Sequence, residues 1–146
     1  MATSDRGREL VRRSRERLEE WKFDARDRAY SDLFEGENAV LTESELQLVD
    51  RIDSDLTRRG GSGLWDADEY GIVTPGALES DEPRVVCVYH PEIPYEGYRG
   101  EESLDEVTRE GLNDVLWDYA ERVAGMIQDD LDAFLRDARQ QGGSRI

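Results

Sequence analysis

The chain has one cysteine, one histidine and one lysine, and it has no long apolar run. A lone Cys87 excludes an internal disulfide. With His90 as the only imidazole, a structural zinc site of Cys and His ligands is excluded within one subunit. No window approaches the roughly 18 apolar residues of a membrane span, and MATSDRGRELVRR at the start has no apolar signal-peptide core. The sequence is therefore read as cytoplasmic, without a membrane partner. Large apolar residues are scarce too. Leu, Ile, Val and Phe occupy 32 of 146 positions, or about 22%, against the roughly 20% below which disorder is the default. Periodicity has to carry the argument for a folded core.

What the chain has in excess is acid: 35 Asp and Glu against 19 basic residues, a formal net charge of −16. Every basic residue except Lys22 is Arg. This acid-coated, Lys-poor composition resembles that of haloarchaeal cytoplasmic proteins over the whole length. The resemblance implies a setting of molar potassium chloride and names no activity. The physics agrees, because at about 1 M salt the Debye length shrinks to about 3 Å and the repulsion among surface carboxylates is screened. In dilute buffer the same charges push the fold apart.

At 146 residues the chain has the size of a single domain, with 1–4 and 141–146 read as flexible tails. Over residues 5–35, Leu10, Val11, Ser14, Leu18, Trp21, Ala25 and Ala29 fall on one stripe at helical spacing, and Gly36 is placed to stop the helix. LTESEL marks the next start: Thr42 as N-cap, Glu45 as its capping-box partner, Leu41 and Leu46 as a staple. Leu46, Val49, Ile52 and Leu56 continue that helix to RRGGSG, where Gly60 is the cap. Between 63 and 100 helical spacing disappears. Two β-prone runs, GIVT and RVVCVY, can pair as an antiparallel hairpin with one face on the helices.

A second capping box, Ser103 with Glu106, opens a last helix that Gly142 closes. Leu104, Leu112, Val115, Leu116, Tyr119, Val123, Met126, Ile127, Phe134 and Ala138 share its broad face, widened by Trp117, Leu131 and Leu135. Nearly forty residues make a helix about 57 Å long, so it either bends at Gly111 or Gly125 or pairs with another helix. The expected fold is α+β and mostly helical: two N-terminal helices, a small antiparallel β-element and one long C-terminal helix.

The stretch VVCVYHPEIPYEGYRG collects the only Cys, the only His and three of six Tyr. Strand alternation sends Val85, Cys87 and Tyr89 to one face and Val86, Val88 and His90 to the other, so Cys87 and His90 cannot work as nucleophile and base. Cys87 reads as a small buried residue, and His90 before Pro91 as the strand's exit. The loop that follows is a candidate binding site through His90, Glu92, Tyr95, Tyr98 and Arg99, whose residue types suit interface anchors. The structural alternative is that its tyrosines simply cover the helices.

Other motifs fail on chemistry. WDADEYG places Asp66, Asp68 and Gly71 at EF-hand positions one, three and six, but Ala77 stands where the bidentate Glu belongs. It reads as acidic surface around a buried Trp65. RRGGSG lacks the Lys–Ser/Thr ending of a phosphate loop, and GGSGL misses the nucleophile elbow. Among so many acids, carboxylate pairs carry no information. No catalytic residue, metal site or cofactor is assigned.

One asymmetry stands out from the acidic background. Residues 1–28 carry nine basic and seven acidic residues, while the other 118 carry ten and 28. Arg6, Arg8, Arg12, Arg13, Arg15 and Arg17 form a candidate basic contact surface for nucleic acid or an acidic partner. They can equally pair with Glu16 and Glu19 at helical spacing, or with Asp129, Asp130, Asp132 and Asp137 of the last helix. A nucleic-acid partner is disfavoured, since it must overcome the overall charge and the weakening of phosphate contacts by salt. LTESELQLVDRI is similar to the opening helix of winged-helix DNA binders, but no second helix follows to act as recognition helix. The leading expectation is a non-enzymatic interaction module with a protein partner. A homodimer through the long helices is favoured by their excess length and the wide apolar face of the last one, and by Phe23 and Tyr30, which lie off the main stripe of the first helix. The rival from another class is a small-ligand-binding protein or enzyme with its site at the His90 to Arg99 loop.

Overall fold

A computed structural model describes residues 2–58, 60, 63–73, 83–93 and 106–143, leaving undescribed the side chains of 2–7, 106, 139 and 141–143. Three helices and two strands follow in the order α1 (Ala2–Phe34), α2 (Glu43–Arg58), β1 (Glu69–Val73), β2 (Arg84–Tyr89) and α3 (Glu106–Gly143). The mostly helical α+β fold is as the periodicity predicts.

On α1 the expected stripe turns inward: Val11, Ser14, Trp21, Ala25 and Ala29 are buried, and Leu33 and Phe34 extend it. Ser14 is tolerated there because its hydroxyl donates to the Leu10 carbonyl at 2.7 Å, satisfying a polar group that has no water. Gly36, at φ 81°, turns the chain out of α1, and Gly60, at φ 89°, does the same after α2. The capping box forms in both directions. Thr42 N–H donates to Glu45 Oε1 at 2.9 Å, and Glu45 N–H donates to Thr42 Oγ1 at 3.2 Å. The second proposed capping box rests on Ser103, outside the described residues.

The two long helices lie antiparallel. Trp21 meets Phe134 edge-on at 5.8 Å, Arg28 reaches Asp130 at 3.7 Å, and Phe34 lies 6.1 Å from Tyr119. The 38 residues of α3, about 57 Å, are matched by the 33 of α1, about 50 Å, so its length is used within the chain. The helix continues through Gly111 and Gly125 without interruption. Its broad face is shared out. Tyr119, Val123, Ile127, Leu131 and Leu135 join one buried cluster with α1 and the hairpin. Leu112 and Leu116 join a second with Val49 and Ile52 of α2, Leu64 and Ile93. The half-buried Leu41 and Trp65 pack against both.

Strands β1 and β2 pair antiparallel. Tyr70 and Ile72 are buried, and Val85 and Cys87 are half-buried against the same cluster. Ile72 and Val85 stand opposite each other, and each is held from outside the sheet. Arg15 of α1 donates to the Ile72 carbonyl at 2.8 Å, and the Val85 N–H donates to Gln128 Oε1 of α3 at 2.8 Å. Helix side chains thus occupy backbone groups on both free edges, which blunts them against further strand pairing.

The pairing also overturns a strand-alternation expectation. Glu69 pairs with Tyr89 but Tyr70 pairs with Cys87, so β2 carries one extra residue there, Val88. A bulge of this kind reverses the side chains beyond it. Tyr89 therefore leaves the inner face it would share with Val85 and Cys87 and is 56% exposed.

Candidate functional site

Both proposed surfaces are only partly within the described residues. Of the loop at 90–99, His90 and Glu92 are described, while Tyr95, Tyr98 and Arg99 lie outside. The His90 ring packs edge-on against Trp117 at 4.2 Å, Pro91 and Ile93 are buried, and Glu92 is exposed. Asn113 of α3 clamps this exit, with Oδ1 accepting from the Ile93 N–H at 2.7 Å and Nδ2 donating to the Ile93 carbonyl at 3.4 Å. A cavity of about 670 Å³ does open beside the strand exit, lined by Glu19, Lys22, Asp66, Asp68, Tyr89 and Glu92 among others. His90 is not among the residues lining it.

The basic surface is largely spent locally. Arg12 pairs with Glu9 and, at 2.5 Å, with Glu16; Arg17 pairs with Glu20 at 3.0 Å. The guanidinium of Arg13 stacks over Phe134 at 5.4 Å, and Arg15 is bound to β1 rather than to Glu19. Among the described residues, it is Arg28, outside the cluster, that reaches Asp130 near the acidic end of α3. Arg8 is exposed, and the side chain of Arg6 lies outside the described residues. Of the five described arginines of the cluster, Arg12, Arg13, Arg15 and Arg17 are thus engaged within the chain.

The hairpin's outer face is different in kind. Val86, Val88 and Tyr89 are 37%, 63% and 56% exposed, and Val73 and Trp117 are also open to solvent. A Cβ at Gly71 would lie in ordinary contact with Val88 Cγ2, at 3.5 Å, so the Val88 side chain lies across the strand pair. Glu69 and Arg84 sit at opposite ends of it.

Sequence reasoning missed a buried ionic hub. Arg26 Nη2 donates to the Trp65 carbonyl, pairs with Asp66 at 2.6 Å and lies 3.1 Å from Asp68 Oδ1. The Asp68 side chain is fully buried, and its Oδ2 accepts from the Tyr70 hydroxyl at 2.7 Å. WDADEYG is thus not an acidic surface around a buried Trp: Asp68 is interior and Trp65 half-buried. Cys87 likewise is half-buried rather than buried, and burial raises its thiol pKa.

Burial, then the Asp68 charge, pushes Tyr119 up to about 12. Burial and the hydrogen bond to Asp68 raise Tyr70 well above its ordinary value. Burial opposes the charge on Arg26, but Asp68, Tyr119 and Asp66 outweigh it, and its pKa is raised. Phenols held protonated this firmly suit fixed donors and not proton transfer near neutral pH. The one available signal was Asp68 and Tyr70 at strand spacing, on the same face as Ile72.

Among the described residues, no group of three or more His, Cys, Asp or Glu is placed to hold a metal ion. Among them, no helix is long and apolar enough to cross a membrane. No curated protein matches the chain, and no solved structure does. A family model does match, over residues 4–138. The chain belongs to a family of unknown function, DUF7539.

Proposed function

We propose that this chain is a non-enzymatic protein-interaction module, adapted to molar salt, whose contact surface is the outward face of the hairpin. The observation that carries the reading is where apolar surface is left over. The long helices bury their stripes against each other, with Ala25, Ala29, Val123, Ile127 and Leu131 at zero exposure. Val86, Val88 and Tyr89 stay open on β2. Large exposed apolar side chains grouped on one face mark partner surfaces, and aromatic residues anchor them. In molar salt a contact of this type also keeps its strength while charge pairing is screened. A second copy of the chain is the first partner to test, now through the hairpin rather than through the helices.

The experiment is co-purification and sedimentation at about 3 M KCl, where surface charge is fully screened. Wild type should bring down a partner or sediment as a dimer, and Val86→Glu with Val88→Glu should lose it while keeping its helical circular dichroism. Retention unchanged by the double substitution would remove the hairpin face. Cooperative folding equally strong at 50 mM and 3 M KCl would remove the salt adaptation.

A further inference from the structure

A second cavity, of about 450 Å³, lies on the side of α1 that the stripe does not use. Phe23, Arg26, Asp27 and Tyr30 supply it from α1 at spacings of three, four and seven, and Asp50, Trp65, Asp66 and Tyr119 complete it. These include Phe23 and Tyr30, the two aromatics that helical periodicity leaves without a purpose. Phe23 is 63% exposed at α1's surface.

Four of the eight lining residues are aromatic, and two of the rings stand edge-on to Trp65. Tyr30 meets the Trp65 ring at 5.3 Å and 80°, and Tyr119 meets it at 5.5 Å and 74°. The Trp65 ring is fixed by its Nε1–H, which donates to Asp50 Oδ1 at 3.0 Å. Three carboxylates, Asp27, Asp50 and Asp66, stand against one guanidinium in the lining. That guanidinium is already engaged, because Arg26 Nη2 is directed at the Trp65 carbonyl, Asp66 and the buried Asp68. The residual field is negative, which disfavours an anion.

A bare metal ion wants a shell of oxygens, about six to eight for calcium, and aromatic rings do not supply it. Ring faces instead attract weakly hydrated cations such as quaternary ammonium groups. The volume falls within the roughly 300–1,000 Å³ of small-ligand pockets. We propose that this cavity is a cage for a small organic cation carrying a methylated ammonium group. The site shares no residue with the hairpin face and stands or falls independently of it.

The same headgroup is presented by a free quaternary amine and by trimethyl-lysine in a protein, so the test has two arms. Choline and a short peptide bearing one trimethyl-lysine are titrated into the full chain in molar KCl, with Trp emission and saturation-transfer NMR as readouts. The neutral isostere 3,3-dimethyl-1-butanol is the control. Choline should bind saturably in the millimolar range and the isostere about tenfold more weakly; a tighter peptide would point to a protein-borne group. Phe23→Ala and Asp27→Asn, both at exposed positions that the core does not need, should each weaken binding by about two- to fivefold. Equal affinity for choline and the isostere would overturn the proposal. So would the absence of a saturable signal from folded protein with both ligands, or affinity untouched by both substitutions.

Discussion

Along the seam between α1 and α3, Ala25, Ala29, Val123, Ile127 and Leu131 lose all solvent contact and take no charge inside with them. Arg26, the very next residue after Ala25, carries a guanidinium inward to meet Asp68. The seam is held by apolar area and close packing, which many side chains of similar volume can supply. The hub is held by partners that must all be present, because a buried charge is tolerable only while it is paired. The two regions should therefore fail differently. Arg26→Met strands the Asp68 carboxylate and should cost about 3–5 kcal/mol, and adding Asp68→Asn should restore much of it. Leu131→Ala in the seam should cost about 2–5 kcal/mol through the cavity it opens, with no charge substitution able to rescue it. Denaturant midpoints at fixed high salt measure both. If Asp68→Asn fails to rescue Arg26→Met, the hub is not ionic in the sense argued.

Tyr70→Phe cuts the hub more gently. It leaves Asp68 Oδ2 without its buried donor and should cost about 1–3 kcal/mol. It also gives the contrast a pH axis. Tyr70 and Tyr119 have folded pKa values raised above the ordinary 10, with Tyr119 at about 12. A raised value means stability that is fully present below pH 10 and lost as pH rises through the folded pKa. Alkaline titration should unfold the protein between pH 10 and 12, and Tyr70→Phe should flatten that fall. An identical slope in the variant would locate the alkaline transition elsewhere.

The same contrast explains what could be read in advance. The stripe on α1, the capping box at Thr42 and most of the broad face of α3 are local or periodic signals that recur in the structure; Trp117, which the spacing adds to that face, is instead exposed. Length left the last helix either to bend or to pair with another helix, and only the structure shows that the partner is α1 of the same chain. The hub was illegible because its partners are 40 or so positions apart and because Asp68 is one acid among 35. The bulge at Val88 was illegible too, since alternation assumes a regular strand, and it alone moves Tyr89 to the outer face. Gly63, which the sequence offers only as part of turn chemistry, has a duty that no turn rule contains. A Cβ there would come within 2.2 Å of Asp53 Oδ1, the acceptor of the Trp65 N–H.

The smallest effect should be the most local. Thr42→Ala removes the hydroxyl that accepts from the Glu45 N–H and should cost about 1 kcal/mol. The reciprocal bond from Thr42 N–H, with the hydroxyl contact, holds the Glu45 carboxyl below its usual range. A lowered value means stability present above the ordinary carboxylate pKa and lost as pH falls through the folded one, so Glu45→Gln should approach wild type in acid. Both substitutions touch neither the seam nor the hub. Amide exchange should therefore quicken in the first turn of α2 while Ile127 and Leu131 keep their protection. Were the loss to spread to those two amides, α2 and the seam would open as one unit. The division into independently failing regions would then have to be redrawn around α3, the helix that touches both clusters.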